Sequence, residues 1–312
     1  MSDVFTTPKI NAERIKRYLA EGKRLDGRTS EQFRDIEIEV GNVSKNAEGS
    51  ARVKIGKTEV IAGVKLIPGE PYPDSLDKGN LMVTLEMLPM SSPRIELGPP
   101  KIDSIEMGRV IDRCIRESKF IELEKLCIIE GEKVWTVFID IYTINDDGNM
   151  FDAAGIAAIA AIKNAKMPKL DEENKIVYGE TTGKPMPTTK DVPISLTAYK
   201  LGNEIIFDPL KEEEDITEAR VTIGMKEGVI SSMQKGDSAG LSVDEMNKIF
   251  KLMKTKSKEI AFWPSITIDT APSSCLFCPE ADSQSNGSAV CGLKRISSRL
   301  ISFNNASRTR VL

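Results

Sequence analysis

The 312-residue sequence contains no histidine. That absence removes Ser-His-Asp and Cys-His nucleophile pairs, the two-histidine zinc helix of metalloproteases and every imidazole acid or base. Any chemistry must therefore rest on carboxylates, lysine, tyrosine or fixed positive charge. Long apolar runs are missing too. No stretch approaches the roughly 18 consecutive apolar residues of a membrane helix, and the opening MSDVFTTPK lacks a signal peptide's apolar core. The chain reads as cytoplasmic, with no membrane partner. Five cysteines in so long a chain do not make a disulfide framework, and Cys114 and Cys127 sit among apolar neighbours as reduced core residues would. Nor is there an excess of basic charge: 43 Lys and Arg stand against 47 Asp and Glu. A polyanion contact must then be local and not a general coat.

What is present is enough apolar content, 40%, to build packed cores in two lobes. NAERIKRYLAEG reads as a helix capped by Asn11 and stopped by Gly22, with Ile15, Tyr18 and Leu19 on one face. The alternating runs DIEIEV, ARVKIG and EVIAGVKL predict an antiparallel meander with turns at Gly49 and at Gly56-Lys57; NLMVTLEMLP follows as another strand after a Pro/Gly-rich loop. A helix is expected over about 105–119, then two strands about Gly131. An Ala-rich helix capped by Asp152 comes next, its small side chains suited to close packing on a sheet.

A second round begins near Val192, with a hairpin about Gly202-Asn203, a further strand pair, and a helix that Ser242 or Asp244 caps, burying Met246, Ile249, Phe250 and Met253. ARVKIGKTEVI (51–61) and ARVTIGMKEGVI (219–230) share Ala-Arg-Val-x-Ile-Gly and a later Val-Ile pair, the mark of a duplicated α+β unit. The expected organisation is an N-terminal helix and arm (1–30), a first α+β unit (31–168), a second (169–260) and a poorly ordered Ser-rich tail (261–312). Cys275, Cys278 and Cys291 in the tail lack a fourth ligand, so no metal site is expected.

One helix stands out. MGRVIDRCIRESK sets Arg109, Arg113 and Arg116 at steps of four and three on one face, and Val110, Ile111, Cys114 and Ile115 on the other. Two readings are open for such a stripe: surface ion pairing with Glu106, Asp112 and Glu117, or the grip of an external anion.

RLDGR (24–28), GSARVKIGKTEVIAGVKL, the arginine helix, DGNMFDAAGIAAIAAIKNA and DPLKEEED occur in the order seen in RNase PH-type subunits of the archaeal exosome. The resemblance spans roughly residues 11–260. It implies the RNase PH fold, a duplicated α+β unit like ribosomal protein S5 domain 2, in a ring-forming subunit. Such rings alternate catalytic and non-catalytic subunits, and this sequence is similar to the non-catalytic type. Where catalytic subunits carry paired arginines and a GGT/SR turn for the attacking phosphate, this chain has Lys101-Ile102 and Gly148-Asn149-Met150-Phe151. A lone lysine cannot reproduce two bidentate forks.

The resemblance further implies that Arg109, Arg113 and Arg116 contact RNA and that the chain completes the cleft of a catalytic partner. That assembly would be a phosphate-dependent 3'-to-5' exoribonuclease with S1/KH-type cap proteins. Inorganic phosphate, with magnesium as a further candidate, would bind at the partner's site, and this chain would hold no cofactor. Asp208 and Glu214 keep the spacing of a catalytic carboxylate pair. They are expected to be vestigial, an acidic loop or first helical turn; the alternative is an active nuclease or nucleotidyltransferase using them as magnesium ligands or general acid. A third reading is a ring scaffold without RNA contact, its arginines ion-paired to a neighbour.

Overall fold

The computed structural model describes residues 7–41 and 43–261; the expected tail and its three cysteines lie outside the described residues. Strands β1 (Ile36–Val40), β2 (Gly49–Ile55) and β3 (Thr58–Gly69) form the expected antiparallel meander, with Val53 opposite Val60 and Ile38 opposite Val53. Alternation sets the faces: Val60, Ala62, Val64 and Leu66 of β3 are buried while the residues between them are not. β4 (Asn80–Met87) does not continue the meander. It runs parallel to β6 (Lys133–Asn145), which itself pairs antiparallel with β3, so the sheet order is β1-β2-β3-β6-β4, with the short β5 (Cys127–Ile129) on β6. A parallel neighbour requires a crossover, and helix α2 (Ile102–Glu117) supplies it.

Helix α3 (Met150–Asn164) is buried through Ile162, all round and not along one stripe. It packs on β2 and β3 on one side and on β9 (Ile194–Leu201) on the other, and so lies between two sheets, where close packing on a single sheet was expected. Small residues allow this. A side chain on Gly49 would come within 2.6 Å of the Ala165 Cα, so Gly49 opens β2 as a point of close helix approach and not as a turn. The second sheet has the order β10-β9-β11-β12, with β10 (Glu204–Phe207), β11 (Ala219–Lys226) and β12 (Val229–Gly236). The two similar Ala-Arg-Val segments occupy β2 and β11, each the first strand of an antiparallel hairpin.

Between the two sheets in sequence comes a hairpin that the sequence pattern did not reveal, β7 (Lys166–Leu170) with β8 (Ile176–Pro185), which forms a two-stranded sheet of its own. α4 (Lys211–Glu214) is a single turn, and α5 (Val243–Ala261) packs on β9 and β11. α5 starts at a reciprocal cap: Glu245 N donates to Ser242 Oγ and Ser242 N to the Glu245 carboxylate. Two other caps fall elsewhere than expected. Helix α1 (Lys9–Ala20) begins before Asn11, because Ala12 N already donates to Pro8 O at 3.0 Å and closes the first turn. At α3 the capping position belongs to Asn149, whose left-handed backbone (φ 59°) starts the helix early and leaves Asp152 inside it. Among the described residues no helix is long and apolar enough to cross a membrane.

Candidate nucleic-acid interface

The apolar side of α2, Met107, Val110, Ile111, Cys114 and Ile115, is buried against the sheets, and burial pushes the Cys114 thiol up to about 12, as suits an inert core residue. That packing turns Arg109, Arg113 and Arg116 outward, all three exposed. Their partners differ. Arg116 is paired with Asp112 at 2.7 Å one turn earlier and also donates to Leu81 O at 3.0 Å. Arg113 reaches only the amide oxygen of Gln234 on β12, at 3.4 Å, and Arg109 has no hydrogen-bonding or ionic partner among the described residues. Glu106, a possible competitor, is occupied by Arg220 at 2.6 Å. Two guanidinium groups on one helix face are thus uncommitted.

A second set of arginines is fully committed, and its role was not legible in the sequence. Arg24 is buried with Glu213, donating to both carboxylate oxygens and to the backbone carbonyls of Phe207 and Asp208. Arg28 Nη1 donates to Asp208 Oδ2 at 2.7 Å; Arg34 binds the same carboxylate through its backbone N (2.7 Å), Nε (2.9 Å) and Nη2 (2.7 Å). Asn149 Nδ2 adds a bond at 2.9 Å. Burial opposes ionisation of Asp208, but Arg34 and then Arg28 outweigh it and hold the carboxyl below its usual range. RLDGR and DPLKEEED are therefore two halves of one internal clamp. Asp208 sits in it with a left-handed backbone (φ 47°), its two oxygens already taken by protein donors. Neighbouring Asp152 differs: fully buried, with neither carboxyl oxygen hydrogen-bonded, it has its pKa pushed well above the carboxylate range by burial.

Glu214 points elsewhere, into a cavity of about 300 Å³ that Asp208 does not line. Met107, Met150 and Phe151 give this cavity apolar walls, and Asp103, Asp146, Glu214, Asp215 and Asp237 give it carboxylates. Each nearby cation is engaged: Lys211 with Glu214 (2.9 Å) and Asp146 (3.2 Å), Arg94 with Asp215 (2.6 Å), Arg220 with Glu106 and, at 3.7 Å, Asp237. Lys101 does not line the cavity; it is exposed, 3.9 Å from Glu96. The proposed pair is thus divided, Asp208 in the clamp and Glu214 in the cavity. Among the described residues no group of three or more Cys, Asp or Glu is arranged to hold a metal ion.

The model of the RNase PH 3' exoribonuclease family, domain 1, matches residues 32–168, and that of domain 2 matches residues 191–256. The chain is 45% identical over 255 residues to the exosome complex component Rrp42 of Methanothermobacter thermautotrophicus, covering 81% of this chain and 93% of the relative. It is 46% identical over 250 residues to the Rrp42 of Methanocella arvoryzae, covering 80% and 93%. Among solved structures it is similar to a chain of the Archaeoglobus fulgidus exosome with RNA bound to the active site, with a TM-score of 0.75 and 40% identity over 80% of this chain and 96% of that one. An archaeal exosome core chain gives a TM-score of 0.72 at 38% identity, covering 82% and 96%.

Proposed function

The chain belongs to the RNase PH 3' exoribonuclease family, and from that premise we propose that it is the non-catalytic subunit of an archaeal-type exosome core ring. It binds RNA through α2 and completes the cleft of a catalytic RNase PH-type partner in the cytoplasm, under S1/KH-type cap proteins. The observation that carries the non-catalytic reading is the cavity beside Glu214: five carboxylates line it, Lys211 is paired with Glu214 and Asp146, Arg94 with Asp215, and Arg220 is held chiefly by Glu106 outside the cavity. An inorganic phosphate entering there meets five carboxylates and, on the lining guanidinium of Arg220, a single unbonded nitrogen, Nη1, and not the two arginine forks of a phosphate pocket. The attacking phosphate, and magnesium where it is used, belong to the partner. The active-nuclease alternative loses its first carboxylate to Arg28 and Arg34.

Exposed apolar side chains supply faces for ring neighbours, Met90 and Leu97 in the β4–α2 loop, Ile102 at the start of α2, and Val229 and Met233 on edge strand β12. The scaffold reading would pair the same arginines with carboxylates of a ring neighbour; replacing Arg109, Arg113 and Arg116 then prevents assembly or leaves the salt slope of RNA binding unchanged, where RNA contact predicts an intact ring with a flatter slope. The deciding experiment purifies the chain alone and with a catalytic homologue and follows RNA shortening with and without phosphate. The lone chain should be inactive, and the mixture should form a closed ring that releases nucleoside diphosphates only with phosphate. Phosphorolysis by the rigorously purified single chain would sink the assignment.

A further inference from the structure

The loop between β3 and β4 carries an aromatic ring that neither core absorbs. Tyr72 is 47% exposed and flanked by Pro71 and Pro73. Pro73 occupies the second position of a turn closed by Ser75 N donating to Tyr72 O at 3.0 Å, and both prolines have φ fixed by their rings. The loop is tied down as well. Asn80 Nδ2 donates to Glu70 O at 2.8 Å, Gly131 N to Leu76 O at 3.1 Å, and Gly79 N to Leu123 O at 2.9 Å. An exposed ring on a loop so restrained has little conformational freedom left to lose on binding.

Its position relates it to α2. Pro71, Pro73 and Leu76 line an open hollow of about 490 Å³ that Tyr72 does not line. At the base of the loop Arg116 donates to Leu81 O, one residue beyond the Asn80 that holds Glu70. The bond to Asp112 lifts the Arg116 pKa against burial, and Tyr72 is near enough to add to that lift. The last guanidinium of the stripe is therefore bonded at the base of the loop that carries the exposed ring. Arginines that hold phosphates leave the bases unread and turned outward, and a bare aromatic face beside them offers the stacking platform that single-strand binders use.

We propose that Tyr72 is a nucleobase-stacking site for the RNA strand whose backbone runs along Arg109, Arg113 and Arg116. This rests on the RNA-contact reading of α2. It adds to that reading a sequence-tolerant base contact supplied by this chain.

The test uses the ring assembled with its catalytic partner and no phosphate, titrated with single-stranded oligonucleotides over a salt series. Tyr72→Ala and Tyr72→Leu should each weaken binding about tenfold, within the range for loss of one stacked base. Tyr72→Phe should bind like the parent, and the salt slope should not change, since no phosphate contact is lost. Oligonucleotides carrying abasic positions should bind the parent more weakly while losing little more on Tyr72→Ala. Binding by the Ala and Leu variants equal to the parent overturns the site. So does a Phe variant as weak as Ala, which would make the hydroxyl the contact, and so does failure of the Ala and Leu variants to form a ring, which would place Tyr72 under a neighbour. If replacing the α2 arginines leaves the salt slope unchanged, the RNA reading itself fails; if those variants weaken binding and Tyr72 variants do not, the stacking site alone is lost.

Discussion

Arg24, Arg28 and Arg34 and the arginines of α2 are the same residue type used in opposite ways. The first three are surrounded by Glu213, Asp208 and backbone carbonyls, with the Arg24–Glu213 pair wholly buried. Arg109 and Arg113 face solvent with no carboxylate near enough to pair among the described residues. A guanidinium whose counter-charge is internal holds the fold, and one whose counter-charge is missing is available to an outside anion. Arg116 stands between these cases, since Asp112 claims part of its fork.

The comparison breaks most severely at Arg24. Arg24→Ala leaves Glu213 buried without a partner and should cost about 3–5 kcal/mol, read from the denaturant midpoint. Arg24→Met with Glu213→Leu should recover most of it, since two apolar groups leave no stranded charge.

Asp208→Asn comes next, because the amide keeps one acceptor but loses the charge that Arg28 and Arg34 answer. The Asp208 pKa is lowered in the folded chain, so its contribution to stability is present above the ordinary carboxylate value of 3.8 and disappears as pH falls below that through the folded pKa. Thermal melts across pH 2.5–7 should show the parent losing stability in that acid window, with the Asn variant lacking this part of the loss. Phosphorolysis by the assembled ring should change little with Asp208→Asn once folding is controlled for. A fall of about a hundredfold or more would restore the active-enzyme alternative.

The triple replacement of Arg109, Arg113 and Arg116 by alanine should shift the melting curve little, as exposed substitutions usually stay within about 0.5 kcal/mol. In the assembled ring it should weaken RNA binding for every sequence tested and flatten the log-log salt slope by about 2, near 0.7 per lost phosphate contact. Arg116→Ala alone should have the smallest share. The mildest test is Asp112→Ala, which costs about 0.3–0.5 kcal/mol at most as a surface i,i+4 pair. It frees Arg116, so RNA affinity measured at low salt should rise slightly. An unchanged or weaker affinity would show that Asp112 aims that guanidinium and does not compete for it.

Much of the frame could be read from periodicity. The β1–β3 meander, the β9–β10 hairpin and the inward stripe of α5 follow from alternation, a turn pair and 3.6-residue spacing. The parallel seat of β4 could not, because a strand's own residues do not name its neighbour. β7 and β8 escaped because prolines and charges in KMPKLDEENKIVYGETTGKP mask a strand pair whose second member is mostly exposed. Asn11 and Asp152 looked like caps by residue type, but Pro8 and the left-handed Asn149 start those helices earlier. At the site, the outward face of α2 was visible in the four-and-three spacing, whereas the saturation of Asp208 depends on donors far away in sequence. Opposite charge in RLDGR and DPLKEEED was the one signal, and it carries no information about which residues meet.

The span of that clamp also bears on how the chain is made. Arg24 lies 189 positions before Glu213, and Arg28 lies 180 before Asp208. At about 5–20 residues per second of synthesis, the arm waits roughly 10–40 s for its acidic partners to be translated. The β2–β3 hairpin closes over only a few residues and can form during that interval. The RLDGR segment is thus secured late, and a nascent chain halted before Phe207 would hold a paired meander while Arg24, Arg28 and Arg34 still lack Glu213 and Asp208, with Arg28 held only by Asp26 and Gln32 and Arg34 by Asp147 and Gly148.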